Sequence, residues 1–108
     1  MPTNVILGEF EQLVLLGVLK LGAEAYALPL REILDDVAGR SISRGALYRT
    51  LDRLAEKGLV RWDVEEAGPE RGGLPRRRFV VTRQGIAALQ RSRRTLLELW
   101  DGLGQVLG

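Results

Sequence analysis

The strongest constraint on how this chain folds is a single switch of hydrophobic period. Val60, Trp62 and Val64 alternate with Arg61 and Asp63, and Phe79 and Val81 repeat the alternation after a turn-rich stretch, the period-two mark of half-buried strands. On either side of this region the apolar residues recur at helical spacing instead. The pattern predicts one β-hairpin set among helices, with Arg71, Gly72, Gly73, Leu74 and Pro75 at its tip. The stretch RGGLPRRRF, residues 71–79, puts four arginines around that turn, where Gly-Gly and Pro suit neither a helix nor a central strand. A charge run of this kind is by itself an ordinary solvated loop, so its neighbours must say whether it does more.

Those neighbours are four helical segments. The first, Glu9 to Leu21, carries Phe10, Leu13, Val14, Gly17, Val18 and Leu21 at helical spacing and stops at Gly22, and it reads as a buried helix. The second begins near Pro29, places Leu30, Ile33, Leu34 and Val37 on one face, and ends at Gly39. The third opens at Ser43, a natural N-cap, and closes at Gly58. Its two faces differ: Leu47, Thr50, Leu51 and Leu54 gather on one, and Gly45, Tyr48, Arg49, Asp52, Arg53 and Glu56 on the other. Small, aromatic and guanidinium groups near a helix N-terminus suit a phosphate backbone and a groove floor. Read structurally, the same residues would cover the core edge through Tyr48 and pair Arg49 and Arg53 with Asp52 or Glu56. Thr82 caps the last helix, whose apolar positions Ile86, Leu89, Leu96, Trp100, Leu103 and Leu107 continue almost to residue 108.

Composition narrows the chemistry. At 108 residues with 45% hydrophobic content the chain builds one core, so one domain is expected. It has no cysteine and no histidine, which removes disulfides, thiolate metal sites, the usual general base and the commonest metal ligand. The reading is therefore not an enzyme, with no cofactor, no metal and a reducing, cytoplasmic compartment. Leu13 to Leu19, the longest apolar run, contains a glycine and falls short of the roughly 20 residues that span a bilayer, and no basic leader or cleavage site is evident, so no membrane partner is expected. Net charge is only +2, yet eight arginines and no acidic residue lie between Arg71 and Leu97, which gives the molecule a positive side.

Helix, helix, Ser-capped helix, basic hairpin, long helix is the order of a winged helix-turn-helix: mainly α in an α+β class, with a two-stranded β-wing and a C-terminal dimerisation helix. The segments LVLLGVLKLGAEAY at 13–26, SRGALYRTLDRLAEKGLV at 43–60 and RRRFVVTRQGIAAL at 76–89 together resemble the PadR family of bacterial transcriptional regulators. The most specific marker is the middle one, a Ser-x-Gly-small-Leu-Tyr opening followed by Leu-x-x-Leu and Gly-Leu-Val; the Arg-rich, aromatic, Thr-x-x-Gly ending is the second. The resemblance implies that Ser43, Arg44, Gly45, Tyr48 and Arg49 belong to a DNA-reading helix and Arg76, Arg77 and Arg78 to the wing. With Arg53 from the same helix face and Arg71 from the hairpin tip, these are the candidate contacts to double-stranded DNA. Tyr26 is followed by Ala27, Leu28 and Pro29 where the family often has Tyr-Gly-Tyr, so no DNA contact is carried over there.

The expected organisation is a winged domain over residues 1–82 and a dimerisation helix over 83–108 in the same globular unit, as in the shorter family members. A stripe of Leu96, Trp100, Leu103 and Leu107 must pack on the domain or on another copy. The resemblance implies a homodimer through this helix and the first, which adds Phe10, Leu13 and Val14 to the interface. It also implies, in some shorter members, a small aromatic or cationic effector in the dimer cleft. The expected function is a repressor binding an inverted-repeat operator as a homodimer, and the resemblance alone implies control of its own gene or a neighbouring transport or stress gene. The competing reading is a winged-helix protein-interaction module without DNA binding, distinguished by the steep salt dependence that phosphate contacts impose. Trp62 is expected in the core with Val60 and Val64. Asp35 with Asp36, and Glu65 with Glu66, are expected to be solvated acids.

Overall fold

The computed structural model describes residues 6–39, 41–66 and 75–108. Arg71 and the expected hairpin tip at 71–74 lie outside the described residues. Helix α1 spans Glu9–Leu21, a 3-10 turn Gly22–Glu24, α2 Ala27–Ala38 and α3 Arg44–Glu56. Strands β1 (Val60–Glu65) and β2 (Arg76–Val81) follow, then α4 (Arg83–Trp100) and a short α5 (Gly104–Leu107).

Local chemistry sets the helix ends. Ser43 Oγ accepts from the Ala46 N–H at 3.0 Å and Thr82 Oγ1 from the Gly85 N–H at 3.0 Å, each satisfying a first-turn donor that the helix itself cannot pair. The same Thr82 hydroxyl donates to the Gly58 carbonyl at 2.7 Å, joining the end of α3 to the start of α4. α2 starts two residues before Pro29, with Tyr26 at its N-cap and the proline inside the first turn, where a missing N–H costs nothing.

The core lies where α1, α2 and α3 meet the base of the hairpin: Leu15, Val18, Leu30, Leu34, Leu47, Leu51, Leu54, Val60 and Phe79 are buried together. α4 joins this core through Gly85 and Ala88. At Gly85 the helix backbone presses so closely on the Leu59 carbonyl and the Val81 side chain that a Cβ would collide with both. The strands pair antiparallel, Val60 opposite Val81, Trp62 opposite Phe79 and Glu65 opposite Arg76. β2 is also held on its other edge, where the Phe79 N–H donates to the Ala25 carbonyl at 2.9 Å.

The structure corrects several expectations. Val14 is 0% exposed and belongs to the core, so it has no surface to offer a partner chain. Phe10 and Leu13 are half-buried against the same core. α1 is apolar on more than one stripe, and Leu16 and Leu19 are the ones left on its surface, at 47% and 44% exposure. The last helix does not continue to Leu107: α4 stops at Trp100, and Gly102, at φ +82°, turns the chain before α5, so Leu103 and Leu107 do not extend the Leu96–Trp100 stripe. Val64 is 65% exposed and Trp62 only half-buried, because the hairpin runs outward past the core at Phe79. Val37 is likewise exposed.

Neither acid pair is merely solvated. Asp35 Oδ1 accepts the Ile42 N–H at 2.8 Å, pinning the loop before α3, and Arg31 Nε donates to the Ile42 carbonyl at 3.2 Å. Glu65 accepts a hydrogen bond from the Tyr26 hydroxyl at 2.7 Å.

Candidate nucleic-acid interface

With Leu47, Thr50, Leu51 and Leu54 buried, the opposite face of α3 is presented outward: Arg44, Gly45, Arg49, Asp52 and Arg53 are exposed and Tyr48 is half-buried. The Arg44 guanidinium lies 5.5 Å from the centroid of the Tyr48 ring, a contact that directs the cation along the helix surface. This N-terminal half of α3 forms one wall of a cleft of about 720 Å3. The start of α2, Ala27 to Pro29, forms another wall, and Pro75, Arg76 and Arg77 of the wing form the third. Arg44, Tyr48, Arg76 and Arg77 are thus gathered from positions far apart in the chain, with Asp52 the acid on the cleft wall.

The remaining candidates sit differently. Ser43 spends its hydroxyl on the helix cap. Arg49 is exposed on the adjoining stripe of α3, outside the cleft lining. Arg53 lies towards the far end of α3, its Nε 3.7 Å from Glu11 Oε2. Arg78 pairs with Asp63 at 3.8 Å and with Glu65 at 3.6 Å, and Arg76 Nε is 4.0 Å from Glu65. The wing arginines are therefore unequal: two are shared with carboxylates, while Arg77 lies with its guanidinium 4.7 Å from the Trp62 ring centroid and has no carboxylate partner among the described residues.

Two polar groups that sequence reasoning passed over hold this arrangement. Glu11, buried on α1, accepts from the Gly8 N–H at 2.9 Å and from Lys57 Nζ at 2.8 Å, tying α1 to the end of α3. Burial pushes its carboxyl up, but Lys57, the Gly8 N–H and Arg53 outweigh burial and leave it below the ordinary carboxylate value. Tyr26 lies with its ring beneath Arg76, 3.5 Å from the guanidinium carbon. Its hydrogen bond to Glu65, with burial second, raises its hydroxyl above the ordinary phenol value. No local pattern signals either pair, because the partners are 46 and 39 residues apart.

On the other side of the molecule, Leu16 and Leu19 of α1 and Ile86, Leu89, Leu96, Leu97 and Trp100 of α4 line an apolar groove of about 490 Å3. Trp100 is 54% exposed there. Among the described residues no helix is long and apolar enough to cross a membrane, and no cluster of three acidic, His or Cys side chains could hold a metal ion.

A capped third helix packed on two others, with a two-stranded antiparallel wing beside its N-terminal half and a fourth helix behind, defines a winged helix-turn-helix protein. The model of the transcriptional regulator PadR-like family matches residues 15–91. The chain belongs to that family, a family of transcriptional regulators rather than enzymes. Among solved structures, a PadR-like transcription factor from Bacteroides fragilis is 26% identical with a TM-score of 0.71, the match covering 90% of this chain and 88% of that one. A PadR-family transcriptional regulator from Eggerthella lenta is 29% identical with a TM-score of 0.67, covering 92% and 86%. A PadR-family regulator from Clostridium difficile, 21% identical with a TM-score of 0.69 over 94% of this chain and 100% of that one, shares the fold. No curated protein matches the sequence.

Proposed function

We propose that this protein is a homodimeric transcriptional repressor that binds an inverted-repeat operator in double-stranded DNA and acts in the cytoplasm. The observation that carries the reading is the shared cleft, in which Arg44 and Tyr48 of α3 stand opposite Arg76 and Arg77 of the wing. A helix in the major groove with a wing on the adjoining backbone needs those cations on one face of the protein. Arg49, exposed beside the cleft, is the residue assigned to base readout; a bidentate contact to guanine is worth about 1–3 kcal/mol of discrimination. Ser43, Gly45 and Arg53 flank that contact.

The dimer uses the opposite side. Leu16, Leu19, Leu96, Leu97 and Trp100 are roughly half exposed, an apolar surface that a second copy covers most economically by two-fold symmetry. Phe10 and Leu13 are half-buried against the core and do not line this groove, while Leu103 and Leu107 beyond the α4 break remain exposed to join it. The indole of Trp100 in the apolar groove offers a stacking face to a small aromatic or cationic effector. A two-fold dimer places two α3 helices on half-sites about one helical turn apart or a multiple of it. Footprinting on DNA upstream of the protein's own gene, with light scattering at micromolar concentration, tests both parts. A dyad-symmetric protected site and a dimer are expected; a monomer that protects its site equally well would overturn the proposal.

A further inference from the structure

The hairpin outruns the core. Among the described residues Phe79 is the last one of the wing that is fully buried, and beyond it the cross-strand neighbours Val64 and Arg77 are exposed on one face. A two-stranded hairpin without an apolar face to pack is marginal in water. The outer rungs of this wing are instead attached to the domain at Tyr26. Its hydroxyl donates to Glu65 at 2.7 Å on β1, and its ring carries the Arg76 guanidinium of β2 at 3.5 Å. Glu65 and Arg76 are themselves directly opposite in the strand register, so one side chain grips both strands at the same rung. Tyr26 is itself 7% exposed and fixed at the N-cap of α2, with the neighbouring Ala25 carbonyl bonded to Phe79, so the grip is anchored in the rigid part of the molecule.

We propose that Tyr26 is the positioning residue of the wing: by holding Glu65 and Arg76 together it sets the angle of the outer hairpin, so that Arg77 and the N-terminal half of α3 meet one stretch of DNA as a preset pair. This rests on the DNA-binding reading above. Without the clamp the wing retains its charges but must be ordered on binding, and the cost of that ordering is taken from the affinity. The electrostatic contribution is unchanged, because no cation is lost. The raised Tyr26 hydroxyl pKa fits the same contact, since the Glu65 carboxylate favours the protonated phenol.

The test compares Tyr26→Phe, Tyr26→Leu and Arg77→Ala in the full chain. Each is titrated across a salt series with a labelled mixed-sequence duplex, and amide hydrogen exchange is measured on the DNA-free protein. Phe keeps the packed ring beneath Arg76 and loses only the hydroxyl, so the fold is retained. Tyr26→Phe should bind about 3- to 10-fold more weakly with the wild-type salt slope, the scale of the net contribution of one intramolecular hydrogen bond. Exchange should be faster at residues 63–65 and 76–78 and unchanged in α1. Tyr26→Leu, which also removes the ring, should exceed it in both respects. Wild-type affinity in Tyr26→Phe, or weakened affinity with unchanged exchange, overturns the positioning role, the latter by making the hydroxyl a direct DNA contact. If instead wild type shows no salt slope and Arg77→Ala changes nothing, the DNA reading fails, and unchanged exchange in the free protein would still reject the clamp separately.

Discussion

Replacing Arg77 with Ala removes the wing cation that is shared with no carboxylate among the described residues. Arg76 and Arg78 are differently placed, because Glu65 and Asp63 already offset their charge. If Arg77 neutralises one phosphate, its loss lowers the steepness of log affinity against log salt by about 0.9. Across a roughly fourfold rise in salt, the binding deficit of Arg77→Ala relative to wild type should therefore shrink about 3.5-fold, that is, four raised to the power 0.9. The stability cost should stay below about 1 kcal/mol, since the contact given up is a cation over a half-exposed Trp62. Arg76→Ala should behave the other way round. It uncovers the Tyr26 ring and leaves Glu65 with Arg78 as its one cross-strand cation among the described residues, so it should lower the melting temperature more than Arg77→Ala does. Fluorescence anisotropy with a labelled duplex over a potassium chloride series, and thermal melting of the free variants, read the two quantities. Arg76→Ala and Arg77→Ala variants that match each other in both slope and melting temperature would refute the division of labour along β2.

Gly85→Ala should destabilise the fold by about 3 kcal/mol or more, because the added methyl meets the Leu59 backbone carbonyl, which has no rotamer to escape into; chemical denaturation would show it, and a loss under about 1 kcal/mol would contradict the close approach. Glu11 has a folded-state pKa below its ordinary value of 4.5, so its stabilisation is complete above that value and disappears as pH falls through the lower folded one. Lys57→Met removes the strongest of the influences that lower it, so the drop in urea midpoint between about pH 5 and pH 3 should be shallower than in wild type; an identical drop would mean the pair is not what the acid limb reports. Trp100→Ala should weaken self-association by about 30-fold or more, as for a central aromatic anchor, and sedimentation showing an unchanged monomer–dimer equilibrium would move the interface elsewhere.

What was legible in the sequence is what local chemistry controls. Ser43 and Thr82 cap helices because a hydroxyl at that position reaches an N–H two or three residues on, wherever the helix later packs. The period-two runs at Val60 and Phe79 could pair only with each other across their turn, and the Leu47–Leu54 stripe left α3 with one outward face that carried Arg44, Tyr48 and Arg49. The order of those elements sufficed for the winged-helix fold.

Tertiary structure decided what depended on a distant partner. α1 is apolar on several stripes, so its period alone could not say that Val14 would face the core and that Leu16 and Leu19 would be left outside; the packing of α2 and α3 made that choice. The alternation of Val60, Trp62 and Val64 is uniform in sequence, yet only the depth of the core tells where burial stops along it. Arg76, Arg77 and Arg78 are the same residue three times over. They differ because the pleat turns Arg76 and Arg78 towards Glu65 and Asp63 and Arg77 towards Trp62, and because α2 happens to start at a tyrosine that reaches the wing. A carboxylate's role depends on which cation or N–H the fold brings within hydrogen-bond reach, and no period within the chain encodes that distance.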